Sequence, residues 1–520
     1  MTESSGERST ITRTRYSFYN FIVSTITAVI LPLVGVIKVR LFIDFYGSGL
    51  NGLQLTIAQV ITFLNICELA YSLAFRQLLF KPLAENNREE VLRIYNGAVR
   101  IFRRTGMVVL AAGLLIAFVF PFFAESPLDY WLTVGTFVML MLPYGISYFL
   151  MGPNFVIMAD QKEYKISIFI QSISILRMFL MVLIIRMKMS FFWILVIEGL
   201  NILIANFTAR RIALREYPWL KDAAQYEPDS AFGGKAKYAI IQRLSELATT
   251  QTDNIVISAF MGYSMTSVFG SYSYLTDNIS KITQTMVQSP MNSFGNLFND
   301  ERADKYEVFT EFFNFATYVS TIVAVCIFIA MPQFIHIWLN KPEYEVTVSI
   351  CLAFALNIFY MTMRQPVIIA RDANGLYVNA KNNAYLLAAS KVVLSVLLIQ
   401  KLGLLGVILA TLLTSWTVDF LYNPRLVYSH VFRLPSWRYY AMVASRLGIA
   451  LAIGGIGYLI WNQNLAYITS STMHLVTSIL VMGVIVVIIT TAIYAAAYRS
   501  FRRLFTRIRN ILSRRSANKK

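Results

Sequence analysis

Uninterrupted apolar runs of about twenty residues recur along almost the whole chain. A helix of that length crosses the hydrocarbon core of a bilayer, which is roughly 30 Å thick. Among the 520 residues, 57% are hydrophobic and 14% are charged, whereas soluble globular proteins carry about 25% charged residues. The sequence therefore predicts an all-α polytopic membrane protein.

About fourteen transmembrane helices fit these apolar runs. The first run follows a basic start, has no small-residue cleavage site and is as long as a full span. We therefore expect a retained helix there and not a signal peptide. The predicted spans are 19–40, 50–72, 106–124, 129–152, 164–186, 189–208, 237–260, 266–290, 309–331, 345–370, 381–400, 404–422, 439–461 and 470–497.

A polar break at 209–236 divides these spans into two groups. It is charged and contains two prolines and a Gly-Gly pair, which is typical of a linker. We predict an N-terminal lobe of about six helices at 1–208 and a C-terminal lobe of about eight at 237–497. Transporters commonly bind substrate between two such bundles, so the two lobes are expected to surround a central cavity.

The 46 lysine and arginine residues are concentrated in alternate loops between the predicted spans. Cytoplasmic loops carry such an excess of basic residues. The distribution predicts a multi-pass membrane protein with both termini in the cytoplasm. The outer ends of the spans hold few basic residues, namely Lys38, Arg40, Arg186, Lys188, Lys341 and Lys401.

The C-terminal segment 498–520 is a basic cytoplasmic tail in this topology. Its stretch RSFRRLFTRIRNILSRRSANKK places aromatic and aliphatic residues between arginines. An amphipathic helix that lies on an anionic membrane surface has this pattern. We expect anionic membrane lipids as its partner, with a regulatory protein as the alternative.

Motifs of enzymes and ATP-driven pumps are missing from the sequence. The three cysteines, Cys67, Cys326 and Cys351, lie in apolar runs, and the three histidines are far apart without metal-ligand spacing. No Walker A loop, dinucleotide-binding glycine fingerprint or nucleophile elbow occurs. We therefore expect no enzymatic activity, no cofactor, no metal site and no nucleic-acid partner.

Several predicted spans contain cations. A charge at the centre of a helix in lipid costs about 2.5–3.5 kcal/mol, so such residues normally face a bundle interior or a water-filled cavity. A cationic cavity suits a phosphate-bearing substrate, because arginine binds phosphate oxygens in pairs and lysine supplies a mobile point charge. The predicted substrate-binding residues are Arg177, Arg243, Lys281, Arg364 and Lys391.

Acidic residues occur in the predicted spans as well. Glu198, Asp419 and a further cation, Arg446, are isolated or close to span ends, which favours a structural role for all three. Lys38 and Arg40 are expected to extend towards the outer membrane surface. The predicted cavity or ion-coupling acids are Glu68, Glu246, Asp253 and Asp277.

Sequence spacing suggests local pairs among these charges. Arg243 precedes Glu246 by three residues and Asp277 precedes Lys281 by four, so each pair can form an ion pair on one helix. Glu246 and Asp253 are seven residues apart and would share one face of a continuous helix. The polar stretch TTQTDN widens that face, which favours a helix that lines a cavity.

Three stretches resemble oligosaccharide repeat-unit flippases, the polysaccharide-synthesis branch of the multidrug/oligosaccharidyl-lipid/polysaccharide flippase superfamily. YGSGLNGLQLTIAQVITFLNICELAYSLAFRQLLFKPLAE resembles that family's second span, with Glu68 at the acidic element and Ala70 where glycine is commoner. TDNIVISAFMGYSMTSVFGSYSYL is similar to its seventh-to-eighth span hairpin, with Asp253 at the usual aspartate and Gly262, Gly270 and Tyr272 at the turn. KLGLLGVILATLLTSWTVDFLYNPRLVYSHVF resembles its twelfth span, although Ala410 replaces the usual glycine.

This resemblance extends from about residue 15 to residue 435. It implies two lobes around a central cavity that opens alternately to each side of the membrane. It also implies undecaprenyl-pyrophosphate-linked oligosaccharides as substrates, for a capsule or exopolysaccharide. A polysaccharide polymerase and glycosyltransferases are the expected partners of such a flippase. The resemblance does not assign individual substrate contacts.

Several alternatives stay open at the level of sequence. The same fold could carry a peptidoglycan or teichoic-acid lipid-linked precursor, or a cationic drug, although a drug exporter would favour acids in its cavity. A membrane glycosyl polymerase would carry catalytic residues on a large outer loop, and the longest predicted outer loop is short. A non-transporting scaffold is disfavoured by the charges within the spans. Coupling to protons, to sodium or to the membrane potential is equally open.

Overall fold

The computed structural model describes residues 30–123, 127–227, 244, 247–288, 304–376, 381–469 and 471–503. Helices and short connections make up these residues, and no strand occurs among them. The chain divides into two compact units, Met1–Gly270 and Ser271–Lys520. This division lies later in the chain than the predicted linker at 209–236.

Eight helices precede the long helix that contains the division between the units. Asn87, Asp129 and Ser190 cap three of them, because each side chain accepts a hydrogen bond from a backbone N–H of the first helical turn. The helices are α1 (30–46), α2 (Ser48–Leu64), α3 (Ile66–Ala84), α4 (Arg88–Val119), α5 (Tyr130–Ser147), α6 (Gly152–Ala159), α7 (Tyr164–Arg186) and α8 (Phe191–Glu216).

The remaining helices begin with the one that contains the division at residues 270 and 271. Among them, Asp304 and Ser471 are N-caps that accept hydrogen bonds from backbone N–H groups. The helices are α9 (Asp253–Gln288), α10 (Lys305–Leu339), α11 (Val348–Met363), α12 (Gln365–Ala373), α13 (Lys381–Leu402), α14 (Leu404–Thr414), α15 (Phe420–Val427), α16 (Trp437–Gln463), α17 (Leu465–Thr469) and α18 (Thr472–Ala497).

Ten helical segments of the described chain are long and apolar enough to cross a membrane. They coincide with ten of the fourteen predicted spans. Of the other four predictions, 19–40, 237–260 and 266–290 lie partly outside the described residues, and 50–72 is divided between α2 and α3 at Asn65. The protein is thus an all-α polytopic membrane protein. The ten segments are Arg88–Phe122, Tyr130–Ser147, Tyr164–Arg186, Phe191–Glu216, Lys305–Leu339, Val348–Ala373, Asn382–Leu402, Leu404–Phe432, Trp437–Gln463 and Thr472–Ala497.

The polar stretch between the predicted spans 50–72 and 106–124 forms a helical hairpin. Helix α3 continues to Ala84, and α4 begins at Arg88 after a turn of three residues. Phe75 on α3 packs edge-on against Phe155 on α6 at 5.8 Å between ring centres, and Phe155 stacks on Phe102 of α4. Aromatic packing therefore holds this polar hairpin against the first unit's helices.

The predicted continuous helix at 237–260 is interrupted. Residues 247–250 are helical, Gln251 and Thr252 are not, and α9 begins at Asp253. The hydroxyl of Thr252 donates to the carbonyl of Ala248, an interaction by which threonine competes with regular helical bonding. The prediction of one continuous helix at 237–260 is therefore wrong, and the shared face of Glu246 and Asp253 stays a prediction because Glu246 lies outside the described residues.

Helix α9 changes direction at Gly262. This glycine has φ 78° and ψ 174°, a conformation that side-chain-bearing residues rarely adopt. The predicted turn thus lies at Gly262, whereas Gly270 and Tyr272 lie within the helix that follows. At this bend the backbone of Tyr263 approaches α2 so closely that a Cβ atom on Gly52 would lie 1.7 Å from the carbonyl oxygen of Tyr263.

Two helices of the second unit are irregular where charged side chains occur. Helix α11 ends at Met363 and α12 begins at Gln365, so Arg364 lies at the break and Pro366 follows it. A π-helical turn, Ser415–Asp419, separates α14 from α15. Such turns are rare and occur frequently at functional sites.

Candidate functional site

An ion pair between Arg177 and Glu198 lies within the spans of the first unit. Arg177 is in the middle third of α7, and Glu198 is in the first third of α8. The Nη1 atom of Arg177 is 2.6 Å from Oε1 of Glu198, and each side chain keeps 22% of its surface exposed. A charge exposed to lipid at this depth is costly, so the exposed part of the pair is suited to a hydrated surface.

The guanidinium of Arg177 is only partly used by this pair. It carries five N–H donors. Its Nη1 donates to Glu198, and its Nε is buried without a hydrogen-bond partner among the residues that the structure describes. Because a guanidinium can donate two parallel hydrogen bonds to phosphate oxygens, Arg177 retains donors for an anionic ligand.

Lys38 brings a second cation to the pair. It is half-buried on α1, and its charge interacts with those of Glu198 and Arg177. Its ammonium lies 5.0 Å from the centre of the Phe42 ring, within the range of a cation–π contact. Two cations therefore lie within electrostatic range of one carboxylate, and one of them, Arg177, is in contact with it. Lys38, Arg177 and Glu198 are named the cationic cluster below.

Aromatic residues fix the helix of Lys38 against the start of α8. The rings of Phe42 and Phe191 meet edge-on at 5.8 Å between centres. The hydroxyl of Tyr46 donates to the backbone carbonyl of Met189 over 2.7 Å. These contacts place α1 and α8 side by side, which brings Lys38 near Glu198 although the two are far apart in sequence.

Tyr144 on α5 connects the cationic cluster to the predicted acid Glu68. The charges of Glu198, Arg177 and Glu68 all act on the Tyr144 side chain, and that of Glu68 acts most weakly. Glu68 is half-buried on α3. The first unit therefore brings a predicted substrate-binding cation, Arg177, and a predicted cavity acid, Glu68, into one region.

In the second unit, Arg364 binds Asp419. The Oδ2 atom of Asp419 accepts hydrogen bonds from Nη1 of Arg364 at 2.8 Å and from the hydroxyl of Tyr360 at 2.7 Å. Asn423 donates to the other carboxylate oxygen. Sequence analysis treated Asp419 as isolated, but the break at Arg364 and the π-helical turn bring the two charges together.

Arg446 is held as a structural residue, as its sequence position suggested. Its Nε and Nη2 atoms donate to Asn314 at 3.2 and 2.8 Å, and Nη1 donates to Ser445 and to the carbonyl of Met442. Its guanidinium also lies 3.9 Å from the centre of the Tyr498 ring. The side chain is buried, and these contacts join α10, α16 and the end of α18.

Other predicted site residues lie on further helices or outside the described chain. Lys391 on α13 is 1% exposed. Asp253 is half-buried at the start of α9, whereas Asp277 and Lys281 are exposed on it one turn apart. The local pairing of Asp277 with Lys281 stays a prediction. Arg243 and Glu246, and with them their predicted pairing, lie outside the described residues.

Glu311 is an intramembrane acid that sequence analysis did not single out. It is 1% exposed on α10 and lies inside the predicted span 309–331. A glutamate within an apolar run was the available signal. The grouping of Lys38 with Glu198 had no such signal, because sequence spacing relates only residues on one helix.

A different charged cluster lies at the other end of α8. Lys162 is 2.8 Å from a carboxylate oxygen of Asp160 and 3.1 Å from one of Glu216, and Lys165 also pairs with Glu216. Burial lowers the pKa of Lys162, and its hydrogen bonds to the carboxylates of Asp160 and Glu216 raise it. Together the hydrogen bonds outweigh burial, so the pKa lies above its ordinary value. Burial and a hydrogen bond to Asp160 likewise raise the pKa of Tyr217. This cluster matches its cations with carboxylates and fastens the end of the helix.

No protein-family model and no curated protein matches the sequence. Solved structures do match the fold. The lipid II flippase MurJ, in an inward closed conformation, is 14% identical with a TM-score of 0.66, covering 93% of this chain and 100% of that chain. The chain has the fold of a membrane transporter.

Two multidrug-type transporters show the same likeness more distantly. An inward-facing MATE family transporter of the MOP superfamily is 13% identical with a TM-score of 0.51, covering 78% of this chain and 98% of that chain. A eukaryotic MATE transporter, AtDTX14, is 11% identical with a TM-score of 0.53, covering 82% and 96%. At these identities the likeness establishes the transporter fold and leaves the substrate open.

Proposed function

We propose that this protein is a flippase. It moves undecaprenyl-pyrophosphate-linked oligosaccharide repeat units across the cytoplasmic membrane for surface polysaccharide synthesis. The saccharide and the diphosphate enter a hydrated cavity while the polyprenyl tail stays in lipid, and the protein opens alternately to each side. A transporter fold and the resemblance of three sequence stretches to such flippases support the proposal.

The observation that carries this proposal is the cationic cluster. Arg177 pairs with Glu198 and keeps unused hydrogen-bond donors, and Lys38 lies within electrostatic range of both. Arg364 in the second unit likewise has a buried Nε atom without a hydrogen-bond partner among the described residues. Partly satisfied arginines within apolar spans fit a ligand that brings phosphate oxygens.

A cationic drug suits these groups poorly. Lys38 and Arg177, whose charges lie within electrostatic range of each other, would repel a substrate with a positive charge. The inward-facing MATE family structure is that of a multidrug resistance transporter, but its likeness to this chain extends to the fold alone. Charge therefore favours an anionic headgroup over a cationic one.

A peptidoglycan precursor is the second candidate substrate. It is favoured by the likeness to the lipid II flippase MurJ, which spans 93% of this chain. A teichoic-acid precursor shares the phosphate chemistry but has no further observation in its favour. A test must therefore identify the saccharide as well as the lipid carrier.

Depletion of the protein in its native cells tests the substrate. We expect polyprenyl-linked oligosaccharide to accumulate in the inner leaflet and the matching surface polysaccharide to disappear. Mass spectrometry of extracted lipids, with a membrane-impermeant saccharide-modifying reagent to report the leaflet, measures both effects. Accumulation of a lipid-linked muropeptide would establish the second candidate instead, and unchanged lipid and polymer pools would refute both.

A further inference from the structure

We propose that Glu198 is a displaceable counter-ion. It holds Arg177 and Lys38 when the protein carries no substrate, and it yields them to the diphosphate of the lipid headgroup when substrate binds. This inference rests on the proposed function and assigns a specific step of it to one residue. Glu198 thereby sets how tightly the headgroup is held and how readily it leaves.

The contacts of Glu198 differ from those of a structural carboxylate. Its Oε1 atom meets a single N–H group of Arg177, and 22% of its side chain is exposed. Asp419, by contrast, has 7% of its side chain exposed and accepts hydrogen bonds from Arg364, Tyr360 and Asn423. One hydrogen bond at the half-buried Glu198 is easier to exchange than the three hydrogen bonds at the buried Asp419.

Arg177 is arranged to accept a new partner. Its Nε atom is buried without a hydrogen-bond partner among the described residues, while Nη1 already engages Glu198. A diphosphate can take two N–H groups of a guanidinium at once, whereas Glu198 takes one here. The diphosphate also attracts Lys38, which lies within the electrostatic range of both members of the pair.

A carboxylate that belongs to the protein has two effects at such a site, one when the site is empty and one when substrate is bound. Two cations left without an acid in apolar spans would be costly to keep in the membrane. Without a competitor, those cations would bind a diphosphate tightly and release it slowly, because affinity differences appear mostly in dissociation rates. An exchangeable carboxylate stabilises the empty site and also weakens the hold on the bound headgroup.

Replacement of Glu198 by glutamine tests the exchange. The change keeps the size of the side chain and removes the competing charge. Purified full-length protein in nanodiscs is titrated with farnesyl diphosphate, and with farnesol to separate headgroup binding from lipid-chain binding. We expect Glu198→Gln to bind farnesyl diphosphate about tenfold more tightly, equivalent to about 1.4 kcal/mol, with no change for farnesol.

Glu216→Gln is a matched control on the same helix. It removes a carboxylate that also pairs with cations, Lys162 and Lys165, but it lies about 27 Å away along α8. We expect its affinity for farnesyl diphosphate to equal that of the unmodified protein. In a flipping assay, Glu198→Gln is expected to lower both KM and kcat, because release becomes slow.

The outcomes separate this inference from the proposed function. If the unmodified protein binds no farnesyl diphosphate and flips no polyprenyl diphosphate, the proposed function fails and the exchange fails with it. If the unmodified protein does both and Glu198→Gln binds no more tightly, the exchange alone is overturned. If Glu198→Gln unfolds, Glu198→Asp is the second variant, because it keeps the charge on a shorter side chain. The shorter side chain pairs more weakly with Arg177, so the affinity for farnesyl diphosphate must rise. An unchanged or lower affinity of Glu198→Asp overturns the exchange.

Discussion

Two arginines within apolar helices, Arg177 and Arg446, are held in opposite ways. All three guanidinium nitrogens of Arg446 donate hydrogen bonds, and its face lies against the Tyr498 ring. Arg177 has one carboxylate contact and a buried Nε atom that lacks a hydrogen-bond partner in the described part of the chain. The number of satisfied donors therefore separates a residue that joins helices from one that is suited to bind a ligand.

Arg446→Gln is expected to lower stability without altering headgroup affinity. The change removes charge-assisted hydrogen bonds to Asn314, which contribute about 1.5–3 kcal/mol, and the contact with Tyr498. A lower thermal midpoint in detergent, together with an unchanged dissociation constant for farnesyl diphosphate at low temperature, would agree with this role. An unaltered midpoint would show that the Arg446 contacts do not join the helices.

At the scale of helices, close backbone contact places α2 beside the bend in α9. Gly52 permits this contact because it has no Cβ atom. Two hydrogen bonds accompany it: the Asn51 side chain donates to Ser267 over 2.7 Å, and the Asn254 backbone donates to Gln59 over 3.0 Å. Gly52 and Gly262, which lie in stretches that resemble the flippase family, thus have a structural explanation.

Gly52→Ala is expected to reduce the amount of folded protein severely. The new Cβ atom would lie 1.7 Å from the carbonyl oxygen of Tyr263, so the two backbones must separate. Gly49→Ala is the matched control on the same helix, since its Cβ atom would meet only a Leu128 methyl at 3.9 Å. Gly49→Ala is therefore expected to fold at least as well as the unmodified protein, because alanine stabilises a helix over glycine by about 1 kcal/mol.

Size-exclusion profiles of detergent-solubilised protein, normalised to total expression, measure this difference. The control is expected to elute as a single folded peak at or above the level of the unmodified protein. Equal folded yields for Gly52→Ala and the unmodified protein would contradict the close contact between α2 and α9.

At the scale of the whole molecule, apolar run length predicts the membrane class and ten spans. The length of an apolar run predicts helix boundaries less well where a span carries polar residues. Gln251 and Thr252 interrupt the predicted span 237–260, whereas the bend at Gly262 falls between the predicted spans 237–260 and 266–290. Hydrophobicity averaged over twenty residues does not detect such breaks.

The candidate site was predictable only in part, for a related reason. A charge in an apolar run marks Arg177 as a residue of interest, because the membrane makes such charges costly. Its partner is 21 positions away on a different helix, and Lys38 reaches the pair through packing of α1 against α8. Those meetings depend on tertiary contacts such as that between Phe42 and Phe191, which spacing along one helix does not encode.

Flipping by purified protein tests the central claim most directly. Proteoliposomes with a fluorescent undecaprenyl-diphosphate-linked disaccharide in both leaflets are treated with an impermeant quencher. We expect the unmodified protein to exchange the lipid between leaflets faster than protein-free liposomes do. Arg177→Gln should slow the exchange about tenfold or more, as expected from loss of a charge-assisted contact worth about 1.5–3 kcal/mol.

Arg186→Gln is the control for that measurement, because it makes the same change at the exposed end of the same helix. It should flip lipid at the rate of the unmodified protein, with equal amounts of each protein incorporated. A rate for the unmodified protein no higher than that of empty liposomes would contradict the flippase. Equal rates for Arg177→Gln and Arg186→Gln would contradict the role of the cationic cluster.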